Sequence, residues 1–172
     1  MTINLNTLSI LLVEDTAPMR KIMVSVLEIL GFKTIYSAAS GAAGFQLFKD
    51  HNPDIVITDW MMEPMDGVEL IKMIRTNPDS PNPFVPIILV TGYAATTKVK
   101  IARDNGMTEF LVKPFTGKEL AARITHVINR PRDFVEAPSF IGPDRRRRPD
   151  DDYDGPVRRH VDKSKRRKGA AS

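Results

Sequence analysis

The chain has 172 residues, 42% of them apolar, which is enough for one domain with a proper core and short for two. It contains no cysteine, so disulfides, thiolate catalysis and cysteine-based zinc sites are excluded and any chemistry must use carboxylates, hydroxyls, amines or imidazoles. The net charge of +4 is unevenly placed: residues 1–130 carry 13 Lys and Arg against 13 Asp and Glu, whereas residues 131–172 carry 12 against 8, so all the basicity belongs to the C-terminal segment.

The N-terminal residues carry no basic leader, and the apolar run from Leu8 to Val13 meets Glu14 and Asp15 after six residues. That is too short for a signal peptide, and no other run approaches the roughly 20 apolar residues of a membrane span. A soluble, cytoplasmic protein is expected. From Leu8 to Arg130, short apolar or β-branched runs alternate with longer segments whose apolar residues recur at three and four.

In chain order, a strand over 8–13 precedes a helix over 17–30, with Met19, Ile22, Met23, Val26 and Leu30 on one stripe, Pro18 in its first turn and Gly31 at its end. A strand over 33–37 and a helix over 41–50 follow, then a strand over 54–58 and a helix over 66–76 that Asp66 is placed to cap. Residues 76–86 hold four prolines and two asparagines and read as a loop entering a strand over 85–90. The next helix, 96–105, offers only Ala95, Val99 and Ala102 to anchor it, so it is expected to be the mobile element. A strand over 109–112 and a helix over 116–129, with Leu120, Ile124, Val127 and Ile128 on one side, complete five βα units. Several strands are nearly unbroken apolar runs, as in a parallel sheet buried on both faces.

Beyond Arg130 the composition turns to Pro, Gly and alternating charge blocks, with few large apolar side chains. Residues 131–172 are therefore expected to be a largely disordered, basic tail, docking at most through Phe134 and Phe140–Ile141.

A right-handed βα array gathers the carboxyl ends of its strands on one edge, where ligands bind. Those ends carry Glu14 and Asp15, Asp59, Thr91 and Lys113. Three carboxylates brought together repel unless a cation compensates, and hard oxygen donors without imidazole or thiolate favour Mg²⁺ over zinc. Phosphoryl chemistry accounts for the ammonium and the hydroxyl, which would offset charge on the oxygens in flight. Asp59, isolated at the middle strand's end, is then the nucleophile that forms an acyl phosphate. Taken singly, Asp15 is equally readable as a helix cap, Asp59 as a solvated turn acid and Lys113 as a surface lysine; the convergence of four strand ends favours the shared site. His51, His126 and His160 show neither metal spacing nor a nucleophile partner, and Met61 and Met62 read as packing residues.

LLVEDTAPMR at 11–20, DWMMEPMDG at 59–67, VTGY at 90–93 and LVKPF at 111–115 resemble the acidic pair, phosphoacceptor, switch-hydroxyl and Lys-Pro motifs of the receiver domains of two-component response regulators. The resemblance covers about residues 8–130 and is to the single-domain, chemotaxis-regulator-like type. It implies a doubly wound, flavodoxin-like sheet of five parallel strands in the order 2-1-3-4-5, flanked by five helices. It also implies Mg²⁺ held by Glu14, Asp15, Asp59 and the backbone carbonyl of Met61, an aromatic switch at Phe110 acting with Thr91, a cis Lys113–Pro114 bond, and tuning of the phosphoryl lifetime at Met61 and Tyr93. Glu14 stands where many members have Asp, Pro64 sits one position late, and Phe110 lacks the commoner Tyr hydroxyl.

The expected function is phosphorelay signalling: a histidine kinase or phosphotransfer protein donates to Asp59, and a protein-binding face toward a downstream target changes. Such a protein is a phosphoacceptor that catalyses its own phosphorylation and dephosphorylation rather than an ordinary enzyme. The alternatives are a regulator acting on nucleic acid through the RRRR and KSKRRK runs, with phosphorylation controlling a homodimer, and a phosphorylation-independent scaffold. Asp150 to Asp152 and Asp154 compete with those basic runs, which disfavours the nucleic-acid reading.

Overall fold

The structure, a computed structural model, describes residues 3–92 and 95–144. Its elements are β1 (Ser9–Val13), α1 (Ala17–Leu30), β2 (Thr34–Ala38), α2 (Gly41–His51), β3 (Ile55–Asp59), α3 (Gly67–Thr76), β4 (Ile87–Thr91), α4 (Thr96–Asp104), β5 (Glu109–Val112), α5 (Gly117–Asn129), β6 (Phe134–Ala137) and β7 (Phe140–Pro143). The first five strands form one parallel sheet in the order β2-β1-β3-β4-β5. Among the described residues no helix is long and apolar enough to cross a membrane.

The apolar runs make β1, β3 and β4 the buried centre of the sheet, and side-chain alternation feeds two cores. Leu11, Val13, Val56 and Leu89 pack against Phe45 and Phe48 of α2 and Leu70, Ile71 and Ile74 of α3. On the opposite face Ile10, Leu12, Ile57, Ile88 and Val90 pack against Met23 and Leu27 of α1 and Leu120, Ile124 and Val127 of α5. Thr116 and Asp66 cap α5 and α3 with full capping boxes, each completed by a Glu three residues on. α4 has no side-chain cap bond at Ala95 and buries Ala102 alone, as its sequence foretold.

Strand boundaries move by a residue or two from the sequence expectation, and the direction has a cause. The ladders run on until Asp59 pairs with Val90 and Thr91 with Val112. The acid and the hydroxyl are thus the last rungs of their strands, held by backbone bonds rather than standing on loops.

The expectation of disorder from residue 131 is corrected for 131–144. β6 and β7 form an antiparallel hairpin with Val135 buried, and Phe134 meets Phe84 edge to face at 5.3 Å. Composition missed this because part of what the hairpin rests on is a polar residue of the domain, Arg75. That side chain is 1% exposed, and its guanidinium lies 4.9 Å from the Phe134 ring. It donates to the carbonyls of Gly106, Pro83 and Val85. Burial pushes its pKa down to about 9, so it stays protonated at neutral pH. Residues 145–172, with both basic runs and His160, lie outside the described residues.

Arg75→Met would keep the volume and remove the donors, leaving buried carbonyls without partners at about 1–3 kcal/mol each, partly offset by relief of the desolvated charge. A net loss of about 3 kcal/mol is expected in urea unfolding; an unchanged midpoint would mean that the carbonyls find other donors.

Candidate functional site

β1 and β3 are neighbours in the sheet, and both end at its carboxyl edge, so Glu14 and Asp15 emerge beside Asp59. One oxygen from each of the three carboxylates lies within 4.8 Å of the others. Asp15 is exposed, while Glu14 is 1% and Asp59 7% exposed. Asp15 is not the cap of α1, whose N-cap is Thr16 without a side-chain cap bond.

Lys113 follows β5 and reaches back across the edge. Its Nζ lies 3.1 Å from Asp59 Oδ1 and 3.3 Å from Glu14 Oε2. Its backbone N–H donates to the Thr91 carbonyl at 2.8 Å, which ties the lysine to the end of β4. Lys113–Pro114 is cis, as the resemblance implied; Glu63–Pro64 is also cis, which no sequence signal foretold. Thr91 itself is 1% exposed.

Burial raises the pKa of Asp59 although Lys113 pulls it down, and Asp15 adds to the rise. Glu14 is raised in the same way, first by burial and then by Asp59, against the Thr16 amide and Lys113. For Lys113 burial opposes the charge, but the contacts with Asp59 and Glu14 outweigh it and leave the ammonium held above its ordinary value. Among the described residues, Lys113 is the cation paired with this cluster, through Asp59 and Glu14, and one ammonium does not offset three carboxylates. A hard divalent cation fits this all-oxygen donor set, and zinc does not.

Phe110 pairs with Leu89 across the β4–β5 ladder and is half-buried against the core, with the Arg123 guanidinium 5.9 Å from its ring. Of the methionine pair, Met62 is core and Met61 is 57% exposed on the loop after β3, so the packing expectation holds for Met62 alone. His51 stacks on Tyr36, and His126 lies 3.8 Å from Glu109, both outside the carboxylate cluster. Tyr93 is outside the described residues.

Two neighbours of the site were not read from the sequence. Arg20, one turn into α1, donates to the Glu14 carbonyl at 2.8 Å, and its spacing from the acidic pair was the available signal. Lys98 of α4 lies 5.5 Å from the ring of Trp60, the residue that directly follows Asp59.

The family model for the response regulator receiver domain matches residues 10–125. Chemotaxis protein CheY-3 of Vibrio cholerae is 32% identical over 123 residues, spanning 72% of this chain and 93% of that protein. The probable transcriptional regulator ycf27 of Porphyridium aerugineum is 36% identical over 121 residues, 70% of this chain, but this chain spans only about half, 48%, of that relative. Among solved structures, the chemotaxis response regulator CheY4 of Vibrio cholerae superposes with a TM-score of 0.65 at 27% identity, covering 70% of this chain and 99% of that one.

Proposed function

The chain belongs to the response regulator receiver family, and from that premise we propose that it accepts a phosphoryl group on Asp59 from a phosphohistidine of a kinase or phosphotransfer protein. The observation that carries this reading is the pocket of three carboxylates spanned by Lys113. In the transfer, the histidine N–P bond breaks, a bond forms between phosphorus and an Asp59 carboxylate oxygen, and the imidazole leaves with the electron pair.

Glu14, Asp15 and Asp59, with the Met61 carbonyl, would hold Mg²⁺, which when bound neutralises the acidic cluster and the phosphoryl oxygens. Asp59 is kept as a nucleophile by the fixed ammonium 3.1 Å away. Lys113 is placed to meet charge on the transferring group, and its partner Glu14 keeps it on that edge when Asp59 is modified. Thr91, the last rung of β4, would turn its hydroxyl toward the new phosphoryl oxygens. Phe110, lacking a hydroxyl, would follow by packing alone.

The output is a change in the face formed by α4, β5 and α5 toward a downstream protein. The thin anchoring of α4, with Ala102 its one buried residue, suits an element with two positions. Assignment as a self-phosphorylating acceptor rather than an ordinary enzyme rests on the same pocket.

The test is incubation with acetyl phosphate and Mg²⁺, followed by intact mass and Trp60 fluorescence. One phosphoryl group per chain is expected with Mg²⁺ and none with chelator. Incorporation that is indifferent to chelation would sink the metal assignment, and no incorporation in either condition would sink the acceptor role.

A further inference from the structure

Residues 131–144 lie beyond the part of the chain matched by the receiver family, and they are folded onto it. Besides Arg75 and Phe84, they meet the turn between α4 and β5. Gly106 has φ +103, and a side chain there would meet the Ile141 carbonyl at 2.8 Å and Arg75 Cγ at 3.0 Å. A side chain on Gly142 would likewise meet Gly106 Cα at 2.8 Å. The hairpin and the turn therefore touch backbone to backbone, a closeness that only paired glycines allow.

Arg75 of α3 clamps the same turn, giving two bonds to the Gly106 carbonyl at 3.0 and 2.9 Å while carrying Phe134 over its guanidinium. Arg132, just before the hairpin, donates to the carbonyls of Thr108 and Asp144 at 3.2 and 2.6 Å. Thr108 Oγ1 accepts from the Ile87 amide at 2.9 Å, which locks the start of β5 to β4.

Among the described residues, the two ends of α4 are held unequally. Its C-terminal end is closed by bonds from the Asn105, Gly106 and Met107 amides and the Asn105 side chain. Its N-terminal end has no side-chain cap, and there Lys98 faces Trp60 next to Asp59.

We propose that the β6–β7 hairpin is a strap that fixes the C-terminal end of α4 against α3, so that α4 responds to phosphorylation of Asp59 from its N-terminal end, pivoting about Gly106. This rests on the acceptor role proposed above for Asp59. The consequence is an output face that changes beside the phosphoacceptor and stays constant beside the hairpin.

Amide hydrogen exchange on the full chain, with and without acetyl phosphate and Mg²⁺, tests the strap, using two variants. Gly142→Val pushes the hairpin off the turn; Phe134→Ser removes its aromatic contacts and leaves its backbone sequence otherwise intact. In the wild type, phosphorylation is expected to change exchange at 96–99 and to leave 105–108 unaffected. In both variants exchange at 105–108 rises about tenfold before any phosphorylation, and the phosphorylation response spreads into it.

Wild-type protection at 105–108 in both variants overturns the strap, as does a phosphorylation response in the wild type that already includes those amides. Absence of a phosphoryl mass gain in the wild type overturns the acceptor role, and the pivot with it, whereas the unphosphorylated comparison judges the strap on its own.

Discussion

Asp59→Asn is expected to abolish phosphoryl incorporation from acetyl phosphate and, in chelator, to raise the melting temperature. The first outcome follows from removal of the nucleophilic oxygen. The second follows from burial: Asp59 is 7% exposed, and its raised pKa means that the fold disfavours its charge even with Lys113 at 3.1 Å. The amide keeps the shape and removes one of three crowded carboxylates, and Lys113 retains Glu14. Persistent incorporation in the variant would reassign the acceptor, and a lowered melting temperature would mean that the Lys113 pair outweighs the desolvation of Asp59.

The same shift sets a pH dependence whose sign can be worked out. Glu14 and Asp59 hold protons more tightly in the fold than in the unfolded chain. Between the unfolded carboxylate range, about pH 4, and the raised folded values, the native state binds the extra protons, so metal-free stability rises as pH falls through that window. Glu119 acts in the opposite sense, since the Thr116 amide and hydroxyl hold it low and its contribution is lost on acidification. The informative measurement is therefore the difference between wild type and Asp59→Asn across acidic pH in chelator. The stabilisation of the variant over the wild type should shrink as pH falls, and should vanish when Mg²⁺ neutralises the cluster.

The site was legible in the sequence because a parallel sheet converts strand ends into neighbours. Once the apolar runs located β1, β3, β4 and β5, Glu14, Asp15, Asp59, Thr91 and Lys113 had to share an edge whatever their separation along the chain. The bounds of α1 were equally legible, because Pro18 and Gly31 punctuate it, but its stripe was misjudged: Leu27 faces the core with Met23, and Ile22 is 59% exposed. What escaped was interaction between polar groups and backbone. Nothing in the periodicity of α3 marks Arg75 as buried, since its partners are carbonyls, which every residue carries. The hairpin was missed for the same reason: its composition is too polar to build a core alone, but it borrows the guanidinium of Arg75 and the ring of Phe84. Phe134, Phe140 and Ile141 were visible as the apolar residues of that stretch, and Phe134 is the one seated on both.

Gly67→Ala, at the first position of α3, is expected to disturb both the fold and the site. The Gly67 amide donates to the Trp60 carbonyl at 2.8 Å, which pins the start of the helix to the residue following the phosphoacceptor. An added Cβ would collide with the Asp59 carbonyl oxygen and fall 3.0 Å from Leu89 Cδ1. The obstacle is backbone at the end of a central strand, so no rotamer change relieves it. Either β3 loses its last rung with Val90, or α3 lifts from the core that Leu70, Ile71 and Ile74 fill. A destabilisation of about 3 kcal/mol is expected in chemical denaturation. Because the clash acts on the backbone of Asp59, phosphoryl incorporation should also fall at temperatures where the variant remains folded by circular dichroism. A folded variant that is less stable but accepts phosphoryl at the wild-type rate would show that α3 yields and the phosphoacceptor does not, placing the rigidity of the site in the sheet alone.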